Sequence, residues 1–174
     1  MVVTKAQVIA WLEKTAEVIQ ANKEYLTQLD SPIGDADHGI NMSRGFTKVM
    51  EKLPSVVDTD IGTILKTIGM TLMSSVGGAS GPLYGTFFMR AGTNAAAKQE
   101  LTGDDLFNVL QSGVDGVLQR GRPQLQDKTM YDAWVPAMQA LRAGIDSGKT
   151  IVEAVGDAVA AAEQGRNDTI PLQA

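Results

Sequence analysis

Residues 61–73 read IGTILKTIGMTLM, and the apolar side chains in this stretch recur every three or four positions. That spacing is typical of one face of an α-helix. Asp58 or Asp60, just upstream, supplies a side chain that can cap the first turn. We therefore predict an amphipathic helix whose apolar face packs against a protein core. The face consists of Ile61, Ile64, Leu65, Ile68, Leu72 and Met73.

The same periodicity recurs along nearly the whole chain, whereas the apolar–polar alternation of a strand is not sustained anywhere. Capping boxes formed by Thr4 with Gln7 and by Thr150 with Glu153 indicate the starts of the first and last helices. Thr102 can cap a helix between them. About eight helices with short connections predict an all-α fold, an antiparallel bundle or barrel of amphipathic helices.

Three loops of unusual composition separate the predicted helices, at residues 30–41, 76–82 and 120–129. In an up-and-down bundle alternate loops lie at the same end. We therefore expect these three loops to meet at one end of the bundle and to form the functional site there.

Two details of the last two helices carry further expectations. Pro136 lies inside the helical pattern that follows the third loop, so it should kink or break that helix. Val152, Val155 and Val159 form an apolar stripe separated by alanines, which predicts close packing of the last helix against its neighbours.

The composition excludes several classes of protein. The chain has 174 residues, which is the size of one domain, and we expect a single domain over residues 1–174. It has no cysteine, so disulfides, cysteine–zinc sites and thiol chemistry are excluded. A net charge of -5 argues against a nucleic-acid partner. The apolar runs are too short to span a membrane and the N-terminus lacks a signal-peptide pattern, so we expect a soluble, cytoplasmic protein.

Residues 30–41 read DSPIGDADHGIN and crowd Asp30, Asp35 and Asp37 into a loop rich in proline and glycine. Each carboxylate makes its neighbours harder to ionise, and a bound cation relieves that repulsion. Oxygen ligands of this kind suit Mg²⁺ or Ca²⁺. The spacing does not match an EF-hand, because apolar residues stand where its turn glycine and bidentate glutamate belong. A plainer interpretation is a solvated turn that caps a helix beginning near Asn41.

Residues 76–82 read VGGASGP and open a helix. Small residues at a helix N-terminus let backbone N–H groups approach an anion, so this loop favours phosphate binding beside a metal. A tight helix–helix turn is the alternative.

His38, the single histidine, is open to three interpretations: phosphoryl carrier, ligand contact or exposed loop residue. We favour ligand contact, because a phosphohistidine among three carboxylates would be strongly repelled.

Residues 144–150 read GIDSGKT and imitate a phosphate-binding P-loop. The spacing is one residue short, and a helix precedes it where the P-loop has a strand. We interpret Gly144 as the C-cap of one helix and Thr150 as the N-cap of the next.

Three segments in the same order, IGDADHGINM, GGASGPLYGTFF and DKTMYDAW, resemble the DhaL family, the nucleotide-binding subunits of phosphoenolpyruvate-dependent dihydroxyacetone kinases. The resemblance implies a barrel of eight antiparallel helices with a nucleotide at one end. It further implies that Asp30, Asp35 and Asp37 hold two Mg²⁺ ions that bridge the phosphates of tightly bound ADP or ATP. The residues it implies for nucleotide contact are His38, Gly39, Ile40, Asn41, Ala79, Ser80, Gly121 and Met130.

The resemblance also implies a reaction and its partners. A DhaM-like phosphohistidine subunit would phosphorylate the bound ADP, and the ATP formed would phosphorylate dihydroxyacetone on a DhaK-like subunit, with no catalytic nucleophile in this chain. One alternative is a subunit of an ATP-dependent kinase for dihydroxyacetone or a fatty acid. Another is a non-catalytic nucleotide sensor that engages a transcription regulator. Family members usually continue past the last helix with an arginine-containing segment and an Asp-Pro-Gly turn. The sequence ends at TIPLQA, residues 169–174, so we expect either that it is truncated or that the closing segment is absent.

Overall fold

Eight α-helices make up most of residues 2–173, which is the part of the chain that the computed structural model describes. This confirms the predicted all-α fold. Two strands of two residues each, β1 (Val3–Thr4) and β2 (Glu100–Leu101), pair antiparallel. They are too short to produce an alternating pattern, so the sequence did not reveal them. The helices are α1 (Lys5–Ala21), α2 (Lys23–Asp30), α3 (His38–Lys52), α4 (Ile61–Ser75), α5 (Ser80–Asn94), α6 (Gly103–Gly121), α7 (Tyr131–Asp146) and α8 (Ile151–Asp168).

The predicted caps begin four of these helices. Thr4, Thr102 and Thr150 each accept a hydrogen bond from the backbone three residues on, and each forms a complete capping box. Of the two candidates before α4, Asp60 is the cap, and it accepts from the Thr63 N–H at 3.1 Å. Hydrogen bonds from Thr63 hold the pKa of Asp60 below its ordinary value. Capping at these positions satisfies N–H groups that have no partner inside the helix.

The interior is one hydrophobic cluster to which all of the long helices contribute. In α4 the predicted apolar face is buried from Ile61 to Leu72, whereas Met73 at its end is 44% exposed. Sequential helices pack side by side from α3 through α8, while α1 and α2 pack against α3. Within residues 2–173, no helix combines the length and the apolar character needed to cross a bilayer.

Helices α4 and α5 approach each other at nearly backbone distance. A Cβ atom added to Gly69 would lie 2.8 Å from the carbonyl oxygen of Gly85, and one added to Gly62 would lie 2.6 Å from that of Gly92. Any side chain at these positions would collide with backbone that cannot move independently. The glycines therefore set the spacing of the two helices that lead into and out of the 76–79 loop.

The expected break at Pro136 was wrong, whereas the expected close packing of α8 is present against α7 but does not use the valine stripe. Helix α7 runs through Pro136 without a break. Proline has no N–H, so the Asp132 carbonyl, four residues earlier, has no helical partner. Gly165 of α8 lies beside that carbonyl and leaves space for it. The α8 stripe is not packed, because Val152 and Val159 are 72% and 61% exposed. Helix α8 instead meets α7 through small residues such as Ala154.

An apolar groove lies beside the unpacked α8 stripe. Its volume is about 500 Å³, and it is lined by residues of α1, α6, α7 and α8 that include Trp11, Trp134 and Val155. The groove forms because α8 packs mainly against α7, so α1 and α8 stay separated.

We predict that Gly69→Ala destabilises the protein by about 1–3 kcal/mol, because the added methyl group forces α4 away from α5. The matched control is Gly156→Ala, since Gly156 also lies in a helix interior but has nothing within 4 Å of its added Cβ. That change should stabilise by about 0.5–1 kcal/mol. Urea unfolding measures both, and equal effects of the two changes would contradict the close-packing argument.

Candidate metal and phosphate site

Three carboxylates converge in the loop between α2 and α3. Asp30 is the last residue of α2, and Asp37 directly precedes α3. Asp30, Asp35 and Asp37 each offer an oxygen atom, and these atoms lie within 4.8 Å of one another. The spacing places all three predicted metal ligands within reach of the same cation or pair of cations.

Asp30 also performs the capping role that the plainer interpretation assigned to the loop. Its carboxylate accepts hydrogen bonds from the N–H groups of Asp37 at 3.0 Å and His38 at 3.3 Å. These bonds let α3 begin at His38, three residues before the predicted start at Asn41. Asp37 occupies the cap position itself but makes no capping hydrogen bond, so its carboxylate stays available for a ligand.

The electrostatics of the loop favour a cation. Hydrogen bonding to Asp37 and the charge of Asp37 raise the pKa of the Asp35 carboxyl above its ordinary value, with desolvation and the charge of Asp30 adding to the effect. Ala36, between the two carboxylates, has a φ of 58°, a left-handed conformation that is unfavourable for alanine. The loop therefore keeps like charges close in a strained backbone, which a divalent cation would stabilise.

The loop of small residues at positions 76–82, the small-residue loop, lies directly beside the loop at positions 30–41, the acidic loop. Helix α5 begins at Ser80, and no side chain caps it, so its first N–H groups are free to bind an anion. The Ser80 hydroxyl and His38 Nδ1 are 3.1 Å apart and share a hydrogen bond whose direction depends on the histidine tautomer. A Cβ atom on Gly77 would lie 3.1 Å from the Asn41 side-chain nitrogen, so the loop backbone rests on that amide. Of the residues predicted to contact nucleotide, this brings together His38, Asn41, Ala79 and Ser80.

The third loop lies at the same end of the bundle. Helix α6 ends at Gly121, and a Cβ atom there would lie 3.3 Å from the Leu83 side chain in the first turn of α5. The three loops therefore share one end, as the up-and-down arrangement predicted. Met130 precedes α7 and packs against the hydrophobic cluster.

Gly39 and Ile40, the other two residues of the predicted nucleotide set, occupy the first turn of α3. Gly39 lies against α2, where an added Cβ atom would be 2.0 Å from the Lys23 carbonyl oxygen. The Ile40 side chain is 46% exposed beside the acidic loop.

Two residues near the site were missed from the sequence. Arg44 donates to the Asn41 side-chain oxygen at 2.6 Å and to the Ser75 carbonyl at 3.1 Å. Asp132 is buried, and its carboxylate accepts from the Thr129 N–H at 2.9 Å, which holds the third loop in place. The signal for Arg44 was its position one helical turn after Asn41, which places both side chains on one face.

The GIDSGKT segment is not a P-loop. Lys149 pairs with Asp157 at 2.6 Å, and Thr150 caps α8. Gly144 is not the C-cap that we expected, because it is buried inside α7. The left-handed position after the helix belongs to Gly148, with a φ of 79°, because glycine has no Cβ and adopts this conformation without strain.

Known proteins are similar to this chain in sequence and in architecture. The family model of the DAK2 domain matches residues 32–174. The ADP-binding subunit DhaL of the PEP-dependent dihydroxyacetone kinase of Escherichia coli (strain K12) is 48% identical over 174 residues, which are 100% of this chain and 83% of that protein. The DhaL subunit of PEP-dependent dihydroxyacetone kinase 2 from Listeria innocua is 43% identical, over 92% of this chain and 75% of its own length.

A solved structure agrees with the fold. The C. freundii dihydroxyacetone kinase in complex with AMP-PNP and Mg²⁺ superposes with a TM-score of 0.73 at 24% identity, over 93% of this chain and 29% of that one. At this level of identity the likeness establishes the architecture of the helices. The sequence matches establish the family, and they confirm the resemblance predicted from the three motifs: the chain belongs to the DhaL family of DAK2-domain proteins.

Proposed function

We propose that this chain, as a single domain over residues 1–174, is the nucleotide-binding subunit of a PEP-dependent dihydroxyacetone kinase. The phosphoryl group would pass from a phosphohistidine on a DhaM-like partner to bound ADP, and from the resulting ATP to dihydroxyacetone on a DhaK-like partner. Support comes from the family, since the E. coli and L. innocua relatives are named as ADP-binding subunits of such kinases.

One observation supports this function more than any other: the three carboxylates lie beside the uncapped N-terminus of α5. Carboxylate oxygens bind Mg²⁺, while free backbone N–H groups bind phosphate oxygens. The hydrogen bond between His38 and Ser80 joins these two halves. A Mg-nucleotide needs both kinds of group within a few ångströms, so the arrangement fits one.

The residues present fit magnesium as the resident ion. Asp30, Asp35 and Asp37 would hold it, because their donor set consists of hard oxygen atoms only and their mutual repulsion is relieved by positive charge. When bound, Mg²⁺ would supply charge stabilisation for phosphoryl transfer. Two ions would match the resemblance to the family.

The chain's own residues bind and orient, and none needs to act as a nucleophile. His38 and Ser80 share a hydrogen bond, which supports a role for the imidazole as a phosphate contact beside the start of α5. The three nearby carboxylates disfavour a phosphoryl carrier at this position. The remaining nucleotide contacts that we propose are Gly39, Ile40, Asn41, Ala79, Gly121 and Met130.

The function predicts that the purified protein retains ADP together with Mg²⁺ and passes phosphate only when both partners are present. Native mass spectrometry measures the retained nucleotide. A transfer assay with a phosphorylated DhaM-like donor, a DhaK-like acceptor subunit and dihydroxyacetone measures the reaction. Protein that is free of nucleotide and turns over added ATP would favour the ATP-dependent alternative. Retained ADP without any transfer would favour the non-catalytic one.

We predict that Asp35→Asn and Asp37→Asn each weaken Mg-ADP binding by at least about 10-fold, because each change removes a charged ligand from the cluster. Isothermal titration on nucleotide-free protein measures the affinity. The variants should stay folded, since neither carboxylate caps α3.

Two control variants test whether this loss is specific to the acidic loop. Asp58→Asn removes the same charge from an exposed position between α3 and α4, at the opposite end of the bundle, and should leave the affinity unchanged. Lys149→Ala should also leave it unchanged, because Lys149 pairs with Asp157 beyond the end of α7. A loss in Lys149→Ala equal to that in Asp37→Asn would revive the P-loop interpretation.

The raised pKa of Asp35 predicts a pH-dependent stability difference in EDTA-treated protein. The folded state binds this proton more tightly than the unfolded state, so the associated stability is present at low pH and is lost as the pH rises through the folded pKa. Asp35→Asn escapes that loss. Its thermal midpoint should therefore exceed the parent's at about pH 7, and the difference should shrink toward about pH 4. Saturating Mg²⁺ should abolish the advantage at pH 7, and an advantage that persists in Mg²⁺ would contradict the argument.

A further inference from the structure

Arg44 connects the first turn of α3 with the end of α4, at the exposed surface beside the candidate site. It lies on α3, and its exposed side chain reaches two acceptors that belong to different elements. Its Nη2 atom donates to the Asn41 side-chain oxygen at 2.6 Å, and its Nε atom donates to the Ser75 carbonyl at 3.1 Å. Ser75 is the last residue of α4, from which the small-residue loop departs. We infer that Arg44 is a positioning residue that orients the Asn41 amide toward the nucleotide and holds the start of the small-residue loop. This inference rests on the proposed function.

The chemistry of the guanidinium group decides how the amide faces. Arginine has only donors, so the atom of Asn41 that faces Arg44 must be the carbonyl oxygen. The amide nitrogen, with its two N–H groups, is then directed away from Arg44. The whole amide group lies against Gly77, where an added Cβ atom would be 3.1 Å from its nitrogen and 3.2 Å from its oxygen. Because Arg44 takes the oxygen, the N–H groups of Asn41 are the part of the amide left to donate to a ligand beside Gly77.

Because Asn41 is buried, the orientation of its amide decides which partners its polar atoms can bind. The residue is only 5% exposed, and buried polar groups need partners. Its oxygen has Arg44, whereas the amide nitrogen donates no hydrogen bond within residues 2–173 and keeps some contact with solvent. An anionic ligand at the N-terminus of α5 would supply an acceptor in place of that solvent. The reverse orientation would direct the oxygen toward the ligand and would repel it.

The second contact explains why the residue is arginine. A guanidinium group presents several donors in one rigid plane and can hold Asn41 and Ser75 at the same time, whereas the single ammonium group of lysine does not reproduce that geometry. Positioning by Arg44 therefore depends on the planar shape of its guanidinium group. If Arg44 acted only through its positive charge, lysine would replace it without loss.

The test compares Arg44→Lys, Arg44→Gln and Lys48→Gln by titration of nucleotide-free protein with Mg-ADP. Lys48 lies one turn further along the exposed side of α3 and pairs with Glu51, outside the site, so Lys48→Gln removes the same charge as Arg44→Gln. We expect both Arg44 variants to lose about 10-fold or more in affinity, and Lys48→Gln to stay within about twofold of the parent. All should unfold near the parent's temperature, because Arg44 is exposed.

A double-mutant cycle supplies the readout that a general structural role would not change. In an Asn41→Ala background, Arg44→Gln should cost only about threefold in affinity, against about 10-fold in the parent, because the amide is already absent and only the Ser75 contact is lost. Parent-like affinity in Arg44→Lys, or a full additional loss in the Asn41→Ala background, would overturn the inference. If either occurs while Asp37→Asn still weakens Mg-ADP binding as predicted, the positioning role alone fails. A parent protein that binds no Mg-ADP would overturn the proposed function and this inference together.

Discussion

The carboxylate of Asp30 connects the fold to the candidate site. It accepts the N–H groups of Asp37 and His38, and these two bonds fix the start of α3 against the end of α2. The same carboxylate is one of three that converge within 4.8 Å. A single side chain thus satisfies the unpaired donors of a helix and keeps the acidic loop folded against mutual repulsion. Because Asp30 caps through Oδ2 alone, its Oδ1 atom and the carboxylates of Asp35 and Asp37 are left for a cation.

Close helix packing transmits this local arrangement to the rest of the bundle. Gly62 and Gly69 bring α4 against α5 at backbone distance, and the 76–79 loop joins those two helices. The uncapped start of α5 is thereby held beside α3, where Ser80 meets His38. Arg44 adds a second connection between α3 and the end of α4. The site therefore depends on the spacing of three helices and not on the loops alone.

Backbone strain is concentrated where the site loops turn. Among residues 2–173, the non-glycine residues with positive φ are Ala36, Ala97, Arg122, Gln126 and Lys128, and all but Ala97 belong to the acidic loop or the third loop. Such conformations persist only where surrounding contacts enforce them. The buried Asp132 supplies such contacts in the third loop, since it accepts from the backbone of Thr129 and Gln126.

Periodicity and caps determined the helices: Thr4, Thr102 and Thr150 begin helices where the sequence placed them, because capping is a contact between residues three apart. The three motifs likewise indicated the family, and the composition of the acidic loop indicated the three carboxylates that the structure brings together. Long-range contacts decided the rest. The early start of α3 required Asp30 from another helix, and the exposure of Val159 followed from small residues that pack α8 mainly against α7. The contact of Arg44 with Ser75 joins residues 31 apart, so no local pattern encodes it. The sequence predicts contacts between residues within one helical turn, because their spacing along the chain fixes their distance. Contacts between residues far apart in the sequence depend on how the helices pack, so only the tertiary structure decides them.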